Sequence, residues 1–297
     1  MAVYSIKDLE TLSGVKAHTI RIWEQRYGLI HPGRTHSNIR YYEDCELKFL
    51  LNIALLNKNG FKISKLACMN RLDIAEKVAA ISEVNFENDT QTDAMTIAMI
   101  EMDECKFDRV FAANIQQIGF ERTMLEVIYP FLAKLSVLWL TGSLRPVQES
   151  FMSSLVRQKI IAAIDREPPV LNRDVATFML YLPEGEQQEL SMLFLQYLLK
   201  SRRQRVIYLG LNIQISDLCD AYRIHKPTYL FTMLNEEPLR TTLQKYVDDL
   251  VDNFRCSHLL LTGYQVMSPL LRVPDRVHIL PGLQETIAFI DQVRKKS

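Results

Sequence analysis

Residues 1–42, and above all the run Thr19-Ile20-Arg21-Ile22-Trp23-Glu24-Gln25-Arg26-Tyr27-Gly28-Leu29, constrain this chain most tightly. Upstream stand Tyr4-Ser5-Ile6-Lys7-Asp8-Leu9 and Ser13-Gly14-Val15; downstream come Pro32-Gly33-Arg34 and Asn38-Ile39-Arg40-Tyr41-Tyr42. The pattern predicts two short helices broken by a tight turn, then a basic hairpin. Ser5 can cap the first helix, whose Ile6, Leu9 and Leu12 share one face. Gly14 suits the turn, because it adopts backbone angles that other residues avoid. Val15, Ile20 and Trp23 then form the inward face of the second helix, with Lys16, His18, Arg21 and Gln25 outside. A short helix presenting such residues after a turn has the geometry that enters a major groove. Arg34 and Arg40 flank a Gly/Thr/Ser/Asn stretch suited to a wing along the phosphates.

The same stretch resembles the winged helix-turn-helix of MerR-type transcription regulators, and the match runs through about Ile63-Ser64-Lys65-Leu66. It is carried by Ile6, Leu9, Gly14, Val15, Thr19, Arg21, Trp23, Glu24, Arg26, Tyr27, Gly28, Leu29, Pro32, Arg34, Arg40 and Tyr41. The resemblance implies a sequence-specific regulator of transcription that binds double-stranded DNA. The expected DNA contacts are Lys16, His18, Thr19, Arg21, Gln25 and Arg26 from the second helix and its end, with Arg34, His36 and Arg40 from the wing. Arg21 leads this set, since a guanidinium bonds base edges or phosphate in a fork. Tyr27 and Tyr41 pack the wing, and a phenol such as that of Tyr41 also reaches a phosphate. One helix-turn-helix has a small footprint, so specific binding calls for a homo-oligomer on repeated half-sites.

Net charge is zero over 297 residues, which would argue against nucleic acid if the charge were evenly spread. It is not. Residues 1–80 hold 12 Lys and Arg against 8 Asp and Glu, and the remainder 23 against 27. The positive end coincides with the motif. The five cysteines, Cys45, Cys68, Cys105, Cys219 and Cys256, form no CxxC pair and most sit in apolar surroundings, so they read as buried reduced thiols. Lys7 and Asp8 interrupt any leader-like run, and no stretch reaches about 18 apolar residues. The expectation is a cytoplasmic protein with no membrane contact.

Further along, helices are predicted over Cys45–Lys58, Phe61–Met69 and Asp73–Ser82, with residues 84–90 as a linker. Many MerR-type proteins continue into a long dimerising coiled coil. Nothing after Ser82 sustains heptads, which moves assembly to the later domains. Residues 91–165 read as four helices: 93–103, 105–118, 120–140 and one opening near Pro146. After Asn172 short apolar runs alternate with helical periods. Strands are predicted over 175–182, 205–209, 228–234, 258–263 and 276–280, and helices over 186–200, 216–225, 238–254 and 283–294. That alternation argues a doubly wound parallel sheet. The fold class is α plus α/β: a winged helix-turn-helix (1–82), a four-helix bundle (91–168) and a Rossmann-like, flavodoxin-like sheet domain (172–297).

No GxGxxG or P-loop is present, so a nucleotide-binding enzyme is not indicated. A bundle followed by such a sheet resembles the cobalamin-binding module of light- and cobalamin-responsive MerR-type regulators. The resemblance covers roughly residues 91–297 and rests on Trp139 with Glu149, on Pro183-x-Gly185-Glu186-x-x-Glu189 and on Tyr208-Leu209-Gly210. It implies that Trp139 and Glu149 face the upper side of a corrin and that Gln188 stands where the family has its cobalt-ligating His. Ser150 replaces a second family His, Ser191 a Gly, and Gly263-Tyr264 a pair of small residues that makes room for the nucleotide tail. A neutral amide is a poor cobalt ligand beside imidazole. These departures favour a regulator whose effector domain is degenerate for cobalamin, with its C-terminal half free to serve as a protein-interaction platform. The alternative is a functional cobalamin- or light-responsive repressor that holds cobalamin with altered ligation. A cobalamin enzyme would need the ligating His and a substrate domain, and the chain shows neither. His225, His258 and His278 are scattered and point to no metal site.

Overall fold

The computed structural model describes residues 3–34, 38–84, 88–140, 145–172, 175–236, 238 and 241–296. The chain divides into two compact units, Met1–Leu155 and Val156–Ser297.

The first unit opens with β1 (Val3–Tyr4), α1 (Ile6–Ser13), α2 (Ala17–Tyr27), β2 (Gly33–Arg34) and β3 (Arg40–Glu43). Ser5 caps α1 reciprocally: Asp8 N donates to Ser5 Oγ, and Ser5 N donates to Asp8 Oδ2. Gly14 ends α1 in the left-handed conformation, φ 71°, which allows the chain to reverse into α2 within three residues. The three strands pair antiparallel in the order β1-β3-β2, with Tyr4 opposite Tyr42 and Gly33 opposite Tyr41. Leu9, Leu12, Ile20, Trp23, Ile30 and Tyr42 fill the small core between helices and sheet.

Next come α3 (Asp44–Lys58), α4 (Ile63–Leu66) and α5 (Arg71–Val84). The bundle follows: α6 (Asn88–Glu101), α7 (Glu104–Ile118), α8 (Phe120–Thr123) running through a π-helical turn at Met124–Ile128 into α9 (Tyr129–Leu140), and α10 (Pro146–Arg166). The helix expected over 61–69 is only the single turn α4. The linker expected over 84–90 is shorter, because Val84 still belongs to α5 and Asn88–Thr90 already belong to α6. Polar residues there start a helix rather than prevent one; residues 85–87 lie outside the described residues. The amino-terminal elements and the bundle are tied by charge. Lys58 pairs with Asp89 and Asp93 at 3.1 Å, and Lys134 reaches Asp93 at 2.9 Å. Arg145 bonds Asp44 Oδ1 at 2.5 Å and Tyr4 Oη at 3.0 Å, its guanidinium lying over the Tyr4 ring.

The second unit holds β4 (Thr177–Tyr181), α11 (Glu189–Ser201), β5 (Arg205–Tyr208), α12 (Ile215–His225), β6 (Tyr229–Met233), α13 (Leu243–Asn253), β7 (His258–Thr262), β8 (Val277–Leu280) and α14 (Leu283–Lys296). All five strands are parallel, in the order β5-β4-β6-β7-β8, so the expected doubly wound sheet is present. Leu218 from α12 and Val247 and Leu250 from α13 pack with Met179, Leu230 and Leu259 of the strands, all fully or almost fully buried. Two helix starts differ from expectation. The helix after β6 begins at Leu243 rather than near Pro238, because Thr242 accepts from Lys245 N and caps it there. The helix after β4 begins at Glu189 rather than Glu186, because Glu186 is turned inward, as described below.

The thiols also differ. Cys45, Cys68, Cys105 and Cys256 are exposed and Cys219 is half-buried. Cys45 and Cys105 are second residues of helices, flanked by charged residues, on the outer side of a first turn, while the apolar Leu47 and Phe107 two positions on are buried.

Candidate nucleic-acid interface and effector site

Recognition of DNA by a helix requires a rigid rod with free donors on one side. The α2 helix meets that need through its neighbours. Glu10 of α1 accepts from Ala17 N at 3.2 Å and pairs with Lys16 at 3.3 Å, so a carboxylate from one helix caps the start of the next. That bond to Ala17, followed by the bond to Lys16, holds the Glu10 carboxyl below the usual carboxylate range. Ile20 and Trp23 are buried. Lys16, His18, Arg21, Gln25 and Arg26 are exposed, and Thr19 is half-buried with its hydroxyl 3.3 Å from His18 Nε2.

The hairpin lies beside this row. Arg34 is exposed and donates to Asn38 Oδ1 at 2.6 Å across the turn. Arg40 is half-buried and pairs with Glu24 of α2 at 3.2 Å, so it ties the hairpin to the helix. Tyr42 Oη donates to the same carboxylate at 3.5 Å. The Tyr41 ring covers Gly33 so closely that a Cβ there would lie 2.3 Å from a ring carbon. Tyr41 therefore packs the wing, as expected. His36 lies outside the described residues. Helical spacing alone did not reveal Glu10, the Glu24–Arg40 tie or Ile22, which is 47% exposed in the middle of the α2 row. The signal for Ile22 was its place between Arg21 and Trp23, off the inward stripe.

Of the candidate effector positions, two are exposed. Glu149 is exposed on the first turn of α10; Trp139 lies in α9, and its side chain is outside the described residues. Gln188 is exposed at the start of α11 and makes no capping bond there.

Instead the ends of the strands are crossed by Glu186, the first residue of the helix expected over 186–200. It is 3% exposed and accepts from Asn235 N at 2.5 Å and Glu236 N at 2.7 Å, joining the loop after β4 to the loop after β6. Asn235 Oδ1 in turn accepts from Tyr264 N at 2.9 Å, joining the loop after β7. The Tyr264 ring does not crowd this region: it is 79% exposed. Gly263, at φ 111° and against the Leu234 backbone, turns the chain outward there, and a Cβ at this position would meet Leu234 O at 2.5 Å.

Burial pushes the Glu186 carboxyl above its usual value of 4.5, against the two backbone bonds that favour its charged form. A carboxyl raised in this way stabilises the fold fully below pH 4.5, and the contribution is lost as the pH rises through the folded value. Glu186→Gln lacks that slope. It is expected to gain stability relative to the wild type as the pH rises above 4.5. Denaturant midpoints of both proteins across this range check the sign, and parallel profiles would contradict it.

Among the described residues no helix is long and apolar enough to cross a membrane, and no group of three or more His, Cys, Asp or Glu is placed to hold a metal ion.

Comparison with known proteins places these features. The family model for MerR HTH family regulatory proteins matches residues 4–69, and that for the B12 binding domain matches residues 91–163. The chain is a DNA-binding transcription regulator that joins a MerR-type helix-turn-helix domain to a B12-binding-type domain, and the relatives it is similar to are regulators rather than enzymes. It is similar to the HTH-type transcriptional repressor CarH of Myxococcus xanthus, 26% identical over 234 residues, covering 76% of this chain and 77% of CarH. CarA, a second HTH-type transcriptional repressor of the same organism, is 24% identical over 69% of this chain and 67% of CarA. The HTH-type transcriptional regulator MlrA of Escherichia coli (strain K12) is 34% identical over 65 residues, 22% of this chain and 27% of MlrA.

Proposed function

We propose that this regulator reads an operator with the exposed row of α2 and steadies itself on the flanking phosphates with the hairpin. The carrying observation is the exposed set Lys16, His18, Arg21, Gln25 and Arg26 on a helix whose other face is locked by Ile20 and Trp23. In this reading Arg21 and Gln25 address base edges, Lys16, Thr19 and Arg26 address phosphates, and Ile22 offers an apolar contact to a thymine methyl. Arg34, His36 and Tyr41 complete the wing, and Arg40 acts by holding the hairpin to α2. The protein works as a cytoplasmic homo-oligomer on repeated half-sites, with assembly assigned to the bundle and sheet rather than to a coiled coil. The similarity to CarH and CarA supports repression as the direction of control.

The second half is read as an effector domain that has lost cobalamin binding in the family manner. Two features support this. The amide of Gln188 is a weak cobalt donor, and Ser150 stands where the resemblance places a second family His. The residues present therefore do not fit the group. Mixing the full-length protein with adenosylcobalamin in the dark and desalting it should leave a colourless protein. Corrin absorbance retained at near one equivalent per chain would overturn this reading in favour of a cobalamin- or light-responsive repressor with altered ligation.

A further inference from the structure

The amino ends of β7 and β8 bring together two histidines that stand 20 residues apart in the chain. The parallel register pairs Leu260 with His278, and His258 lies two residues before Leu260, so both side chains leave the same face of the sheet. His258 Nδ1 and His278 Nε2 are 3.3 Å apart, which corrects the view that the histidines are scattered. Adjacent aromatic rings restrain them. Tyr229 of β6 lies 5.5 Å from the His258 ring, and Phe289 of α14 lies 5.6 Å from the His278 ring. Phe289 also meets Tyr229 edge-on at 5.7 Å, so the four rings form one packed group at this end of the sheet.

Two imidazole nitrogens at this separation either share one N–H or face a common metal ion. Nitrogens about 2.0–2.1 Å from a tetrahedral Zn2+ stand about 3.4 Å from each other.

We propose that His258 and His278 form a two-histidine chelate for a late first-row divalent metal ion of the Zn2+ type. The ion takes the place of the shared proton. The ring that donates in the metal-free pair moves its proton to its other nitrogen, and both lone pairs then face the metal. No third His, Cys, Asp or Glu among the described residues joins them, so water fills the remaining positions and the site stays open to a further ligand.

The test is a calorimetric titration of the full-length protein with Ni2+ at neutral pH, because imidazole suits this ion and isolated thiols suit it less. Wild type, His258→Ala, His278→Ala and the double variant are compared. The chelate predicts one ion per chain. Each single variant loses about tenfold or more in affinity, since a two-point attachment becomes a one-point attachment. The double variant then falls little further, because either loss alone breaks the chelate. His258 is exposed, so its replacement leaves the fold intact and decides the matter even if His278→Ala proves unstable. Equal affinity in wild type and His258→Ala would overturn the proposal and assign the binding to the exposed thiols, as would two small losses that simply add.

Discussion

Trp23→Ala is expected to cost the DNA-binding end about 3–5 kcal/mol of stability, the range for deleting a buried aromatic side chain. Trp23 is only 5% exposed and lies in the same small core as Leu9, Leu12, Ile20 and Tyr42, all at 1% or less. A core of this size has few other large side chains to take up the loss, and the surrounding helices are short. Relaxation is further limited by Glu24, the next residue, whose carboxylate is already committed to Arg40 and Tyr42 across the hairpin. The cost is of the same order as the whole stability of a typical domain, so local unfolding is the expected result. Denaturation followed by tryptophan-independent circular dichroism checks it. An unchanged midpoint would show that the inward face of α2 has been assigned wrongly.

Arg21→Ala sits two residues earlier on the same helix and is expected to do the opposite. Its side chain is exposed, so the melting behaviour should stay within the small range of surface substitutions. Operator affinity should fall by about 1–3 kcal/mol, the value of a specific guanidinium contact, which is roughly 5- to 150-fold. The pair of variants separates folding from recognition on one helix. The salt concentration must be held fixed, because phosphate contacts make every affinity salt-dependent. Unchanged binding by a folded Arg21→Ala protein would remove this residue from the interface.

The DNA-binding end was legible because its signals are local. Ser5, Gly14, Trp23 and the hairpin residues act within a few positions of themselves, and capping, turn geometry and helical spacing describe them directly. The sheet of the second unit was legible for the same reason, through its alternating periods. What escaped were partnerships across the chain. Glu186 looked like a first-turn carboxylate until the loop after β6, about 50 residues away, supplied two backbone donors. Arg145 meets Asp44 across 101 residues, and His278 meets His258 across a strand crossover. The thiols misled for a related reason: apolar neighbours in sequence do not place a residue on the inner face of a helix. Periodicity shows which face an element buries. It does not show which polar groups from distant elements will share a site.

In the proposed function this protein recognises a particular DNA sequence through α2 and its hairpin. Selection from a pool of randomised duplexes by the full-length protein, with the bound DNA sequenced, tests it most directly. The wild type should enrich a motif repeated as half-sites about one helical turn apart, or a multiple of it, and Arg21→Ala should lose that enrichment while remaining folded. A bound pool indistinguishable from the input, or the same motif recovered by Arg21→Ala, would contradict the account.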